Sequence, residues 1–211
     1  MSIIHVMRHG QVDNPNGVLY ERLPGFHLSD LGRLMVEQAA GFFAERPISH
    51  LRCSPLERTQ ESIRPVAALF AEIPVVTDPR VIEAGNIFAG QVMGSSAAAA
   101  KKPKNWPYLR NPFRPSWGEP YAVIATRMTA AIMDAAAQVG PHGQAVIVSH
   151  QLPIWVARLA MEGKRLWHDP RKRECTLASI TSFHLVDGRV HDIEYAEPAA
   201  DLLPEHSRVG F

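Results

Sequence analysis

A chain of 211 residues, 46 % hydrophobic and 20 % charged, is long enough for one domain with a sizeable core and has an ordinary globular composition. Its 22 Lys and Arg nearly balance 21 Asp and Glu, and a net charge of +1 excludes the basic excess expected of a general nucleic-acid or membrane-surface binder. Two cysteines, Cys53 and Cys175, form neither a disulfide framework nor a zinc-finger spacing, which points to a reducing, cytoplasmic setting.

The opening MSIIHVMRHG holds an apolar run too short for a signal peptide or membrane span. Residues 2–7 read as a buried strand that stops at the turn Arg8-His9-Gly10. A polar loop rich in Asn, Pro and Gly runs to Gly25. Ser29 is placed to cap a helix, with Asp30 in its first turn, and Leu31, Leu34, Met35, Ala39 and Phe42 carry the helical spacing to about Arg46. A second strand over 48–54 runs into Pro55, which can open a helix to about Ala71. Residues 73–77 read as a third strand. Beyond Glu83 the periodicity fails, giving four alanines and then KKPKNWPYLRNPFRPSWGEP, which reads as an insertion over approximately 87–118. A helix over 120–139, a strongly apolar strand over 144–149 and a helix over 152–161 follow. Two alternating segments, 178–186 and 189–195, flank Asp187-Gly188 as a β-hairpin.

Strands alternating with helices imply an α/β fold. The expected form is a three-layer α/β/α sandwich over 1–211, with a mostly parallel central sheet and an inserted lid segment after the third strand. Reactive groups in such sheets collect at the carboxyl ends of the strands. His9, the Ser54 to Arg58 segment and His150 all fall there.

The residue types at these positions suit phosphoryl chemistry. A neutral imidazole can attack phosphorus and form a covalent phosphoenzyme. The adjacent Arg8 guanidinium matches two oxygens of a phosphoryl group, and Gly10 lets the backbone approach a ligand. Arg58 adds a second guanidinium near a helix N-terminus, where the dipole favours anions. His150 ends the most apolar strand. A carboxyl group with a raised pKa could protonate the leaving alkoxide; Glu83 follows the third strand, with Glu57 and Glu119 as competitors.

Arg8-His9-Gly10, Ser54-Pro55-Leu56-Glu57-Arg58-Thr59, Glu83 and Ser149-His150, in this order and approximate spacing, resemble the histidine phosphatase superfamily, the phosphoglycerate-mutase-like enzymes. Gly118-Glu119-Pro120, leading to Arg127, is also similar to a family segment. The resemblance implies that His9 is the nucleophile, that Arg8, Arg58 and His150 form the phosphate pocket, and that Glu83 protonates the leaving oxygen and then activates water. It further implies substrate contacts from Gly10, Gln11 and an asparagine of the following loop, Asn14 in preference to Asn16. Gln11 and Val12 stand where the family often has Glu and then Ser or Thr, so a contact from that hydroxyl is not carried over.

The implied function is metal-independent hydrolysis of phosphate monoesters of a small metabolite through a phosphohistidine. Mutase-type phosphoryl transfer and a catalytically silent phospho-ligand module are the alternatives. Lys101, Lys102, Lys104, Arg110 and Arg114, among Trp106, Tyr108, Phe113 and Trp117, are expected to form a lid that reads the rest of an acidic substrate. Arg171-Lys172-Arg173 is expected to be a solvated loop. His5, His27, His142, His168 and His184 show no metal-triad spacing, and Arg8 would repel a cation beside His9; no metal or cofactor is expected. The expected partner is a small phosphorylated substrate, with no nucleic acid and no membrane. A homodimer is compatible with the sequence, though no residue argues for it.

Overall fold

The computed structural model describes residues 1–92 and 118–203. Alternation along the first strand, β1 (Ser2–Arg8), puts Ile4 and Val6 on one face of a sheet and His5 and Met7 on the other. The other strands are β2 (Ile48–Cys53), β3 (Val75–Thr77), β4 (Gln144–Ser149), β5 (Ile180–Val186) and β6 (Arg189–Ala196). They line up in the order β3-β2-β4-β1-β5-β6. The pairs β3–β2, β2–β4 and β4–β1 are parallel; β5 joins β1 antiparallel, and β6 joins β5 antiparallel.

Helices α1 (Asp30–Ala40) and α2 (Glu57–Leu69) cover one face of the sheet, where Met7, Leu51, Val146 and Val148 are buried with Met35, Phe43, Ile63 and Val66. Helices α3 (Tyr121–Val139) and α4 (Gln151–Met161) cover the other, over Ile4, Val6, Ala145, Ile147 and Phe183. This is the three-layer α/β/α arrangement that the strand–helix alternation implies. Burying both faces explains why β4 is continuously apolar rather than alternating. Among the described residues, no helix is long and apolar enough to cross a membrane.

The element ends differ from the sequence reading in small ways with local causes. Helix α1 stops at Ala40 and tightens into a 3-10 turn over Gly41–Phe43. Pro55 lies ahead of α2 rather than inside it, because Leu56 stays extended and its carbonyl takes the first helical N–H groups, those of Thr59 and Gln60. Asp187 (φ 49°) and Gly188 (φ 73°) are both left-handed, as the tight turn of the β5–β6 hairpin requires. Most of the expected lid, residues 93–117, lies outside the described residues. Its flanks are paired, with Asn86 bridging Gly118.

The turn after β1 is pressed directly against the start of α1. Ser29 caps α1 by accepting from Gly32 N at 3.0 Å, and its own backbone N–H donates to Gln11 O at 3.0 Å. A Cβ on Gly32 would lie 2.0 Å from Gln11 O, and one on Gly10 would lie 2.4 Å from Gly32 O. Only glycine permits this approach. Gly32→Ala is therefore expected to destabilise the fold by about 1–3 kcal/mol, whereas Gly41→Ala, whose Cβ meets nothing within 4 Å, should change Tm little. Equal Tm values for the two variants would contradict the close packing.

Candidate active site

His9 continues β1 past its last strand residue. Its N–H donates to Ser149 O at 3.2 Å, and its own carbonyl accepts from Ala178 N at 3.3 Å. The ring is 2 % exposed. Nδ1 lies 2.7 Å from Gly10 O, and because a carbonyl only accepts, Nδ1 carries the proton and Nε2 keeps its lone pair. Burial, then the Arg58 and Arg8 charges, hold the imidazole well below its ordinary pKa. His9 is thus a neutral base with a fixed tautomer, the state a phosphorus nucleophile requires.

Arg58 occupies the first turn of α2 and is 0 % exposed. Its Nη2 donates to Glu21 O at 2.6 Å and to His150 Nδ1 at 3.2 Å, and the guanidinium lies 4.8 Å from the centre of the Tyr20 ring. Its Nε and Nη1 have no partner. Arg8, 8 % exposed, donates from Nη1 to Cys175 O at 2.7 Å and leaves Nε unpartnered. Neither arginine forms an ion pair among the described residues. Buried guanidinium N–H groups without acceptors are costly, and they are placed to receive an anion.

His150 occupies the position just before α4 and just after β4, and its ring centre is 5.2 Å from that of His9. Arg58 donates to Nδ1, so Nε2 carries the proton and donates to Ser54 Oγ at 2.9 Å. Burial and the Arg58 charge keep this imidazole neutral as well.

The three carboxyl candidates separate clearly. Glu57 lies at the α2 N-terminus, where its own N–H and that of Gly25 lower its pKa. Burial would raise Glu119, but hydrogen bonds and charge from Arg127, helped by Arg22, overcome it and hold the group ionised. Glu83 is half-buried, and desolvation raises its pKa against the opposing Ala84 N–H and the Arg58 and Arg8 charges. Its Oε2 lies 3.8 Å from His150 Nδ1. The main chain here is fastened by Arg22, which donates to Glu83 O at 2.7 Å, and by Arg127, which donates to Arg80 O at 2.6 Å. The similarity noted around Gly118-Glu119-Pro120 and Arg127 thus falls on residues that hold the Glu83 turn.

A model of the histidine phosphatase superfamily (branch 1) matches residues 4–195. The chain belongs to this superfamily. An uncharacterised protein of Mycobacterium tuberculosis, Rv0525, is 50 % identical over 197 residues, covering 93 % of this chain and 96 % of the relative. Among solved structures, a mycobacterial glucosyl-3-phosphoglycerate phosphatase, Rv2419c, in complex with VO3 is similar at TM-score 0.72 and 21 % identity, over 92 % of this chain and 96 % of that one. A phosphoglycerate mutase from Bacillus anthracis is similar at TM-score 0.72 and 17 % identity, over 95 % of each chain. At such identities these two structures show the shared fold of the superfamily.

Within the histidine phosphatase frame, His9, Arg8, Arg58, His150 and Glu83 converge at the carboxyl ends of β1, β2 and β4 and beyond β3. Gly10 is a scaffold position, whose N–H donates to Ser62 Oγ at 3.1 Å. Gln11 is tied to α1, its Oε1 accepting from Ser29 Oγ at 2.7 Å. Asn14 uses both ends of its amide on Val18, donating to its carbonyl and accepting from its N–H, and so closes the loop. Asn16 is exposed in the same turn. Arg171 and Lys172 are exposed, as expected of a solvated loop, but Arg173 turns inward.

One carboxyl escaped the sequence reading altogether. Burial, reinforced by the Glu83 charge, pushes Glu21 up to about 8, while its Oε1 accepts from Asn86 Nδ2 at 3.3 Å. Nothing in the local pattern Tyr20-Glu21-Arg22 signals this; the long loop brings it there. Folded Glu21 keeps its proton to about pH 8, whereas the unfolded chain releases it near 4.5. Between those values only the unfolded state gains by ionising, so stability falls as pH rises. Glu21→Gln removes that loss. Its Tm advantage over the native protein should be small near pH 4.5, widen as pH rises and level off above about 8; a gap independent of pH would contradict the buried, protonated carboxyl.

Proposed function

We propose that this protein is a phosphatase that hydrolyses phosphate monoesters of a small metabolite through a phosphohistidine at His9, without a metal. The reading rests on one observation above all. Three buried guanidinium nitrogens, Arg8 Nε and Arg58 Nε and Nη1, have no acceptor beside a neutral imidazole whose tautomer is fixed by Gly10 O. A phosphoryl dianion would satisfy those donors and offset both charges. Its equatorial oxygens carry the charge of a loose transition state, which guanidinium forks suit.

In the first step His9 Nε2 forms a bond to phosphorus while the ester P–O bond breaks, and protonated Glu83 gives its proton to the departing oxygen. In the second step the Glu83 carboxylate takes a proton from water as the water oxygen attacks phosphorus. The N–P bond then breaks, releasing inorganic phosphate and restoring neutral His9. His150, anchored to Ser54 through its Nε2–H, would take up a proton at Nδ1 once the dianion reverses the local field, and would then donate from Nδ1 to a phosphoryl oxygen instead of accepting from Arg58.

The test compares p-nitrophenyl phosphate with an alkyl phosphate, in excess chelator, for the native protein, His9→Ala, Glu83→Gln and Glu21→Gln. Native activity should survive chelator, and His9→Ala should lose it on both substrates. Glu83→Gln should cost about 10²- to 10⁴-fold on the alkyl ester and far less on the nitrophenyl ester, whose leaving group needs little protonation. A leaving-group-dependent loss in Glu21→Gln instead would reassign the acid. Activity lost to chelator would overturn the metal-independent reading.

A further inference from the structure

A guanidinium from the loop between α4 and β5 reaches the rim of the site. Arg173 Nε donates to His168 Nε2 at 2.9 Å, and Nη1 donates to Gln151 Oε1 at 3.3 Å. His168 is a fixed neutral acceptor, because its Nδ1–H donates to Leu166 O at 2.7 Å and burial lowers its pKa. The rings of Tyr121 and Trp155 lie against it, at 5.5 and 6.1 Å between centres. Gln151 Nε2 donates to Cys175 O at 3.4 Å, the same carbonyl that takes Arg8 Nη1. One carbonyl and one amide therefore separate Arg173 from Arg8.

The partners that hold Arg173 are both neutral, and it forms no ion pair with a described carboxylate. The contrast with its surroundings is sharp. Arg158, Lys164 and Arg171 each find an Asp or Glu within 3.2 Å. His168 and Gln151 fix the direction of the Arg173 guanidinium without neutralising it, and its Nη2 makes no hydrogen bond to a described residue. The charges that act on Arg173 include Glu83 and Arg8, and Arg173 in turn acts on Glu83. The His168 ring that holds it packs against Tyr121, two residues from Glu119, whose N–H donates to Gly85 O just past Glu83, so Arg173 stands between Arg8 and the Glu83 turn, where the ester oxygen would leave.

We propose that Arg173 is a specificity-determining residue that binds a second anionic group, a carboxylate or a second phosphoryl group, on the leaving alcohol of the substrate. The proposal rests on the phosphatase reading above, with Arg8 and Arg58 on the transferring group and Glu83 at the leaving oxygen. A guanidinium just beyond that oxygen meets whatever the alcohol carries, and a planar fork without a counterion selects a planar or tetrahedral oxyanion. Glu21 is engaged with Arg58 and Asn86 instead and makes no ion pair with Arg173.

The experiment measures kcat/KM of the native protein, Arg173→Gln and Arg173→Lys on glycerol 3-phosphate, 3-phosphoglycerate and fructose 1,6-bisphosphate. The first two differ chiefly in a hydroxymethyl group against a carboxylate. The native protein should prefer one of the anion-bearing esters, and Arg173→Gln should lower the preference ratio over glycerol 3-phosphate roughly 10- to 100-fold, mainly through KM. Arg173→Lys should restore part of it. The preferred ester distinguishes carboxylate from phosphoryl. An unchanged ratio in Arg173→Gln, with turnover intact, overturns the proposal and leaves the phosphatase reading standing. If no ester is turned over, the phosphatase reading fails, and calorimetry of the same esters decides for Arg173: loss of anion-selective binding in the glutamine variant supports it, and equal binding overturns it.

Discussion

A guanidinium with no solvent exposure and no carboxylate partner costs a folded protein several kcal/mol unless something else supplies the missing charge and acceptors. Arg58 is held in this state, and most of the site follows from it. Burial first, and then the same charge that lacks a counterion, depress both His9 and His150, so two imidazoles meet as neutral rings rather than as repelling cations. Glu83 is close enough to feel Arg58, yet burial wins and raises its pKa above the ordinary carboxylate range. An imidazole with a free lone pair, a carboxyl group with a raised pKa and unpaired N–H groups are consequences of one desolvated cationic pocket.

The contrast with other buried polar groups in the chain shows why this pocket is a site and not merely an interior. Arg52 is as buried as Arg8, but it donates to Asp78 at 2.8 Å, Asp134 at 3.0 Å and Ala131 O at 3.1 Å. Its charge is matched, and it ties β2 to α3. His5 is buried like His9, but both ring nitrogens are used, with Ser182 and Gln144, and burial takes it down to about 4. Those groups are satisfied by the protein itself. Arg8 and Arg58 are left with donors that no described residue accepts.

Much of this was legible in the sequence because it depends on short-range grammar. Apolar runs that stop at Arg8-His9, Ser54 and Ser149-His150 mark the carboxyl ends of parallel strands, and parallel pairing of β1, β4 and β2 brings these stops to one rim. Glu83 was legible by its place after β3. Glu21 and Arg173 were not, since their directions depend on contacts remote in sequence. Glu21 is set by Asn86, 65 residues on, and Arg173 by Gln151, 22 residues before it. Asn14 illustrates the reverse: the family resemblance implied a phosphate contact, but its amide already makes two hydrogen bonds to Val18 four residues away. A pattern of residue types locates a group along the chain, whereas hydrogen-bond satisfaction decides whether that group is available to a ligand.

The central claim is that the phosphoryl group passes through His9. The most direct measurement is to mix the native protein rapidly with p-nitrophenyl phosphate, quench in alkali within the first turnover and locate the modification by peptide mass spectrometry. The account predicts a phosphoryl group on the peptide containing His9, stable in alkali and lost in acid, as a phosphoramidate is. Turnover with no protein-bound phosphoryl group, or with the group on another residue, would contradict it.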